Sequence, residues 1–131
     1  AFGTTVIRAG TGADTLKAAL YLASGSQGAG TTAYAATNEV SGANYVAGGI
    51  TVTNATAPTT GGTTGYWTPS ASFTWTNVTL ATAFDAVLVY NSTQSNKAIS
   101  VHTFGSQTIT AGTFTLTMPT NDSTNALIRI A

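Results

Sequence analysis

Between Phe84 and Phe104 the chain reads FDAVLVYNSTQSNKAISVHTF, and this stretch leaves few folds open. Phe84 to Tyr90 is almost continuously apolar, which suits a central strand buried on both faces. Asn91 to Asn96 supplies a polar turn, and Lys97 to Phe104 then alternates Ile99, Val101 and Thr103 against Ser100, His102 and Phe104. Residues two apart on a strand share a face, so each alternating run marks a strand with two distinct sides. Phe73 and Trp75 alternate with Ser72, Thr74 and Thr76 in the same way. Phe114, Leu116 and Met118 alternate with threonines between Gly112 and Pro119, and Ala126 to Ile130 follows the turn-rich run Thr120 to Asn125.

Short β-branched and aromatic segments separated by Gly, Asn, Ser and Pro clusters are the pattern of a sandwich or barrel. The expected fold is all-β: a single-domain antiparallel β-sandwich, with a jelly roll as one form of it, carrying long Gly/Ala/Thr-rich loops. About eight strands are expected, with Phe73, Trp75, Phe84, Leu88, Ile99, Val101, Phe114, Leu116 and Ile128 in one core. The first half is looser. Leu16 to Ala23 reads best as a strand, although Asp14 could cap a helix with Leu16, Ala19, Leu20 and Ala23 on its apolar side. Ser24 to Gly49 reads as extended loops around Tyr34 and Tyr45 with at most one short strand, Ile50 to Thr53 resumes strand character, and Pro58 to Gly65 reads as a loop. Residues 1–15 are taken as an N-terminal arm and residues 16–131 as the sandwich domain.

Charge is the scarcest commodity in this chain. Arg8, Lys17, Lys97 and Arg129 stand against Asp14, Glu39, Asp85 and Asp122, only 6% of the residues, where a quarter is usual. With 43% hydrophobic residues the chain still has enough apolar material to fold, so its polar surface must be Thr, Ser, Asn and Gln. Four scattered cations cannot form the stripe that phosphate binding needs, which excludes nucleic acid as a partner. No apolar run is long enough to span a bilayer and no basic amphipathic helix could lie on one, so no membrane role is expected. The start, Ala1-Phe2-Gly3-Thr4-Thr5, lacks the basic segment and apolar core of a signal peptide, which points to synthesis in a cytoplasm. There is no cysteine, hence neither a disulfide framework nor a thiolate metal site.

Catalytic chemistry is sparse. His102 is the one histidine, and Ser100, two residues away on the same strand face, is within conceivable reach of it. No nucleophile elbow surrounds them, and a packed or surface histidine is the simpler reading. The carboxylates are far apart in sequence, Asp14 and Asp122 reading as turn or cap residues. Gly10-Thr11-Gly12-Ala13-Asp14 lacks the third glycine of a dinucleotide fingerprint and the Lys-Ser/Thr of a phosphate loop. The chain is therefore read as non-enzymatic, with no catalytic residues, no cofactor and no metal.

Surface physics offers a positive signal. Monomeric β proteins guard open sheet edges with Lys, other charges or Pro, because an unpaired edge invites another strand. Almost no such guards exist here, and little charge also means little repulsion between copies. Both suit a subunit packed against neighbours, whereas a monomer would need its own Gly-rich loops to cover the edges.

Four stretches carry a resemblance: TTAYAATNEVSGANYVAGGITVT (Thr31 to Thr53), FDAVLVYNSTQSNKAISVHTFG (Phe84 to Gly105), TAGTFTLTMP (Thr110 to Pro119) and the ending NALIRIA (Asn125 to Ala131). Together they resemble small virion structural proteins of tailed bacteriophages, some of which decorate or cement the capsid. The resemblance implies a sandwich or jelly-roll subunit present in many copies and without enzymatic activity. It implies residence in the virion after synthesis in the host bacterial cytoplasm, with the major capsid protein, other virion subunits and copies of itself as partners. Tyr34, Asn38, Glu39, Val40 and Tyr45 become candidate assembly contacts, a lone acid amid aromatic and amide groups in a long loop being a docking element of the right kind. A tail, adaptor or fibre component is the alternative. A carbohydrate-binding or hydrolytic module would instead need Trp67, Trp75 and the tyrosines exposed, because sugars stack on open rings.

Overall fold

The computed structural model describes residues 14–28, 30–53 and 58–130. Among them there is no helix, and the strands are β1 (Leu16–Leu22), β2 (Ile50–Thr51), β3 (Thr59–Gly61), β4 (Thr64–Trp67), β5 (Phe73–Asn91), β6 (Lys97–Leu116) and β7 (Ile128–Ile130). They form two antiparallel sheets, in the orders β2-β1-β5-β6 and β3-β4-β7, which pack against each other as a sandwich. The arm expected over residues 1–15 lies outside the described residues except for its last two. Those two belong to the domain: Asp14 is buried and accepts from Asn91 Nδ2 at 2.9 Å, while Thr15 N–H donates to Thr93 Oγ1 at 2.8 Å.

Two of the described strands are longer than the sequence suggested. The segment around Phe73 and Trp75 and the run Phe84 to Tyr90 are one strand of 19 residues, and Lys97 to Phe104 joins the Phe114 segment in one strand of 20. A straight strand of that length would reach about 60 Å, against a radius of gyration of about 14 Å for a domain of this size, so the pair has to bend. It does so through register shifts between Trp75 and Val78, Val78 and Leu80, Leu80 and Phe84, and Phe84 and Ala86, the extra residues of a bulge bending the strand that carries them. Asn77 (φ 52°) and Ala111 (φ 45°) take left-handed backbone in the same region. The hairpin thereby folds over its own middle. Phe84 and Phe114, well separated along the ladder, meet edge to face with ring centroids 5.1 Å apart, and Phe104 lies 5.4 Å from Phe114.

Pro58 to Gly65, expected as a loop, forms the β3–β4 hairpin instead. Gly61 pairs with Thr64, and Gly62 takes φ 62° in the two-residue turn between them, a conformation that glycine supplies without steric cost. Threonines on either side supply the β propensity that the glycines lack.

The single expected core is in fact divided by the central sheet. Phe73, Trp75, Phe84 and Ile99 share one cluster with Leu16, Leu20, Trp67, Val87 and Val89, against which Phe114, Leu116 and Ile128 pack half-buried. Leu88 and Val101 belong to a second cluster with Ala19, Tyr21, Ala86, Tyr90 and Ala98 on the opposite face. From Ala86 to Tyr90 β5 thus feeds the two cores alternately, and the register shift between Phe84 and Ala86 puts the Phe84 ring in the first. The second sheet contributes Trp67 and Ile128 to the first core. The second core is covered by the β1–β2 connection, whose Tyr34 ring stacks on Tyr90 at 4.8 Å.

Candidate functional site

The loop that carries the expected contact residues turns inward. Glu39 accepts from Tyr34 Oη at 2.7 Å through Oε1, and from Tyr45 Oη and the Gly48 N–H, both at 2.8 Å, through Oε2. Tyr34 packs on the second core and Tyr45 on the first. The carboxylate therefore straddles the margin of the sheet, tying down a ring from each face. Val40 is buried within the first core. Of Tyr34, Asn38, Glu39, Val40 and Tyr45, Asn38 alone is exposed, in left-handed backbone at φ 65°. Tyr34, Glu39, Val40 and Tyr45 fold the loop onto its own domain.

What the cluster accomplishes is closure of the outer edge of β1. Val52 N–H donates to Leu16 O at 2.8 Å, β2 pairs with Lys17 and Ala18, and Val40 N–H donates to Leu20 O at 3.0 Å. Leu22 N–H donates to Asn38 O at 2.8 Å, and Tyr45 Oη accepts from Leu20 N–H at 3.0 Å. Tyr21 Oη reaches Ala35 O and Tyr90 Oη reaches Gly48 O, each at 2.6 Å. Two glycines set how closely the loop can approach. A Cβ on Gly49, whose φ is 84°, would lie 1.9 Å from Ala18 O, and one on Gly42 would lie 1.9 Å from Thr79 O. Burial, with the carboxylate of Glu39 alongside, raises the Tyr34, Tyr45 and Tyr90 hydroxyls above the usual phenol range, and burial pushes Tyr21 up to about 12. All four stay neutral donors at physiological pH.

The Ser100 and His102 pair does form: Oγ and Nε2 are 2.9 Å apart. Burial lowers the imidazole below its usual value, which favours the neutral ring. Among the described residues no carboxylate bonds to that ring, so nothing orients it as a triad requires. The pair lies beside an apolar cavity of about 150 Å³ lined by Phe73, Val87, His102, Phe104, Leu116 and Met118, where the bent hairpin closes on itself. No group of three or more His, Cys, Asp or Glu able to hold a metal ion occurs among the described residues. Trp67 and Trp75 are buried and offer no open face to a sugar.

The other margin of the large sheet is arranged differently. β6 is its last strand. Ala98 N–H donates to Thr32 O at 3.0 Å and Ala33 bridges Lys97, but beyond Ala98 the outer side of β6 has no strand partner among the described residues. Thr103, Gly105, Ser106, Gln107, Thr108, Thr110, Thr113 and Thr115 are exposed along it, and no charged residue occurs from Ala98 through Asn121. Sequence inspection found the missing guards without locating the strand they were missing from. Comparison with known proteins finds no family model, no curated protein and no solved structure that matches this chain.

Proposed function

We propose that this chain is a non-enzymatic virion structural protein: a capsid decoration or cement protein that binds the assembled head of a tailed bacteriophage. The observation that carries the reading is a long sheet edge, Ile99 to Leu116, without a single Lys, Arg, Asp or Glu. A free-living monomer pays a solubility risk for such an edge, whereas a subunit held in a lattice uses it. The resemblance of four stretches of sequence to virion proteins supports the same assignment.

Attachment in this reading rests on strand pairing, apolar contacts and neutral hydrogen bonds, so it is insensitive to salt, unlike charge-steered association. Contact with two or more shell subunits raises the effective concentration, and interfaces too weak for a soluble pair then saturate the lattice. The direct test is cosedimentation of purified protein with assembled heads, unassembled capsid protein and tails at low and high salt. Binding to heads alone, unchanged by salt, is the expected result. Binding to tails alone, release by moderate salt, or absence of the chain from purified particles overturns the assignment.

A further inference from the structure

The large sheet treats its two margins unequally. The β1 margin takes backbone and side-chain partners at Leu16, Lys17, Ala18, Leu20 and Leu22, while among the described residues the β6 margin is met only at its start, by the Ala33–Lys97 bridge and its Ala98 N–H to Thr32 O bond. From the structure we propose that β6 is a self-association edge: two copies pair β6 with β6, antiparallel, across a two-fold axis. The inference concerns the isolated chain and uses the same edge that carries the virion reading.

Four features choose a second copy as the occupant. An antiparallel pair of identical strands satisfies a two-fold axis, so an edge can be its own complement without any second surface. Charge is the usual obstacle, since like charges facing each other across a pair repel. Here the run from Ala98 through Asn121 has none, and Lys97, at one end of the strand, meets no second Lys97 when two strands pair about their middles. A charged partner strand, conversely, would find no counter-charge on this edge. Exposed threonines at 103, 108, 110, 113 and 115 supply β-branched side chains and hydroxyls that pair favourably with their own kind across strands. The apolar cavity lined by Phe73, Val87, Phe104 and Leu116 adjoins the same strand, and strand addition characteristically lays alternate side chains over such pockets.

The test is sedimentation velocity of the full chain over a range of concentrations, with hydrogen exchange measured at both ends of that range. Wild type should move from monomer to dimer as concentration rises, and amides within Ile99 to Leu116 should gain protection in step. The variant T103K/T108K/T113K places lysines on exposed positions of β6 and should weaken dimerisation by about tenfold or more. T51K, on the exposed β2 side of the same sheet, should leave it unchanged. Hydrogen exchange at the β1 amides reports whether the triple variant remains folded. Three outcomes overturn the proposal. One is a monomer at every concentration with β6 amides already protected, which assigns the edge to this chain's own residues. A second is a monomer whose β6 amides are protected only on assembled heads, which assigns it to a shell subunit and leaves the virion reading intact. The third is a dimer that T51K disrupts and the triple variant does not.

Discussion

The two margins of the four-stranded sheet solve the same problem in opposite ways. At the β1 margin a connection of poor β propensity is drawn across the unpaired backbone and pinned by one carboxylate, four tyrosines and the close approach of Gly49. At the β6 margin a strand of 20 residues is left with threonines and, beyond Lys97 at its start, no charge. Closing an edge internally takes side chains with no latitude in position. Leaving one open takes only the omission of lysine, aspartate and proline. The density of conformational demands on Tyr34 to Gly49 therefore reflects the cost of closure, and the monotony of Thr103 to Thr115 reflects its absence.

That contrast can be broken most severely at Gly49. Alanine there meets both the left-handed backbone at φ 84° and Ala18 O at 1.9 Å, and the combined strain should cost about 3 kcal/mol or more, read as a fall in urea midpoint. Glu39→Ala removes the acceptor of three donors and should cost about 2 to 3 kcal/mol. In that variant the Leu20 and Leu22 amides should exchange faster while those of β5 do not, which separates loosening of the margin from global unfolding.

Alkali should sharpen the comparison further. A tyrosine raised in the folded state loses its proton first in the unfolded chain, so its stabilising effect is complete below pH 10 and is lost as pH rises through the folded value. For Tyr21 the window runs from 10 to about 12, and urea midpoints measured across it should fall, with exchange at β1 rising before exchange at β6 changes. The smallest effect is expected at His102. His102→Asn should alter stability by no more than about 0.5 kcal/mol at neutral pH. Because burial lowers its pKa, the unfolded chain protonates first as the pH drops, so wild type should lose stability below the usual histidine range. The variant should lack that part of the acid dependence, as parallel denaturation series would reveal.

Much of the fold was legible because some sequences admit one solution. The apolar run from Ala86 to Tyr90 can be satisfied in a sheet only by burial on both faces, and it feeds both cores. Leu16 to Leu22 is a strand, as preferred over a helix, and Asp122 does cap a turn, accepting from Thr124 and Asn125 N–H at 2.8 and 2.6 Å. Gly112 misled as a strand boundary, because a bulged strand passes through glycine as readily as it ends there. Pro58 to Gly65 misled in the opposite sense, its Gly61 to Thr64 segment being a hairpin turn. Of the candidate contacts, Tyr34, Glu39 and Tyr45 bond to one another within the loop, and Asn38 is exposed. A lone acid among tyrosines announces hydrogen bonding, yet nothing local distinguishes donors on a partner from donors in the same loop. The signal that could have done so is Gly48-Gly49, both at positive φ, since a glycine pair following such a cluster marks a chain brought against its own backbone.

The bent β5–β6 hairpin also bears on the order in which the molecule assembles. Its strands adjoin in sequence across a turn set by Asn91, whose Oδ1 accepts from Thr93 and Gln94 N–H at 3.1 and 3.2 Å, with Ser95 and Asn96 in left-handed backbone at φ 58°. Closing that turn requires little loop entropy, whereas docking the 23–49 connection requires a finished sheet to dock on. The hairpin should therefore be structured in the transition state and the β1 margin should form after it. In chevron experiments Asn96→Ala, which strains the turn by about 1 kcal/mol, should slow folding, while Glu39→Ala should leave the folding arm nearly unchanged and accelerate unfolding. The closed margin would then govern how long a folded molecule lasts, and the hairpin how quickly one is made.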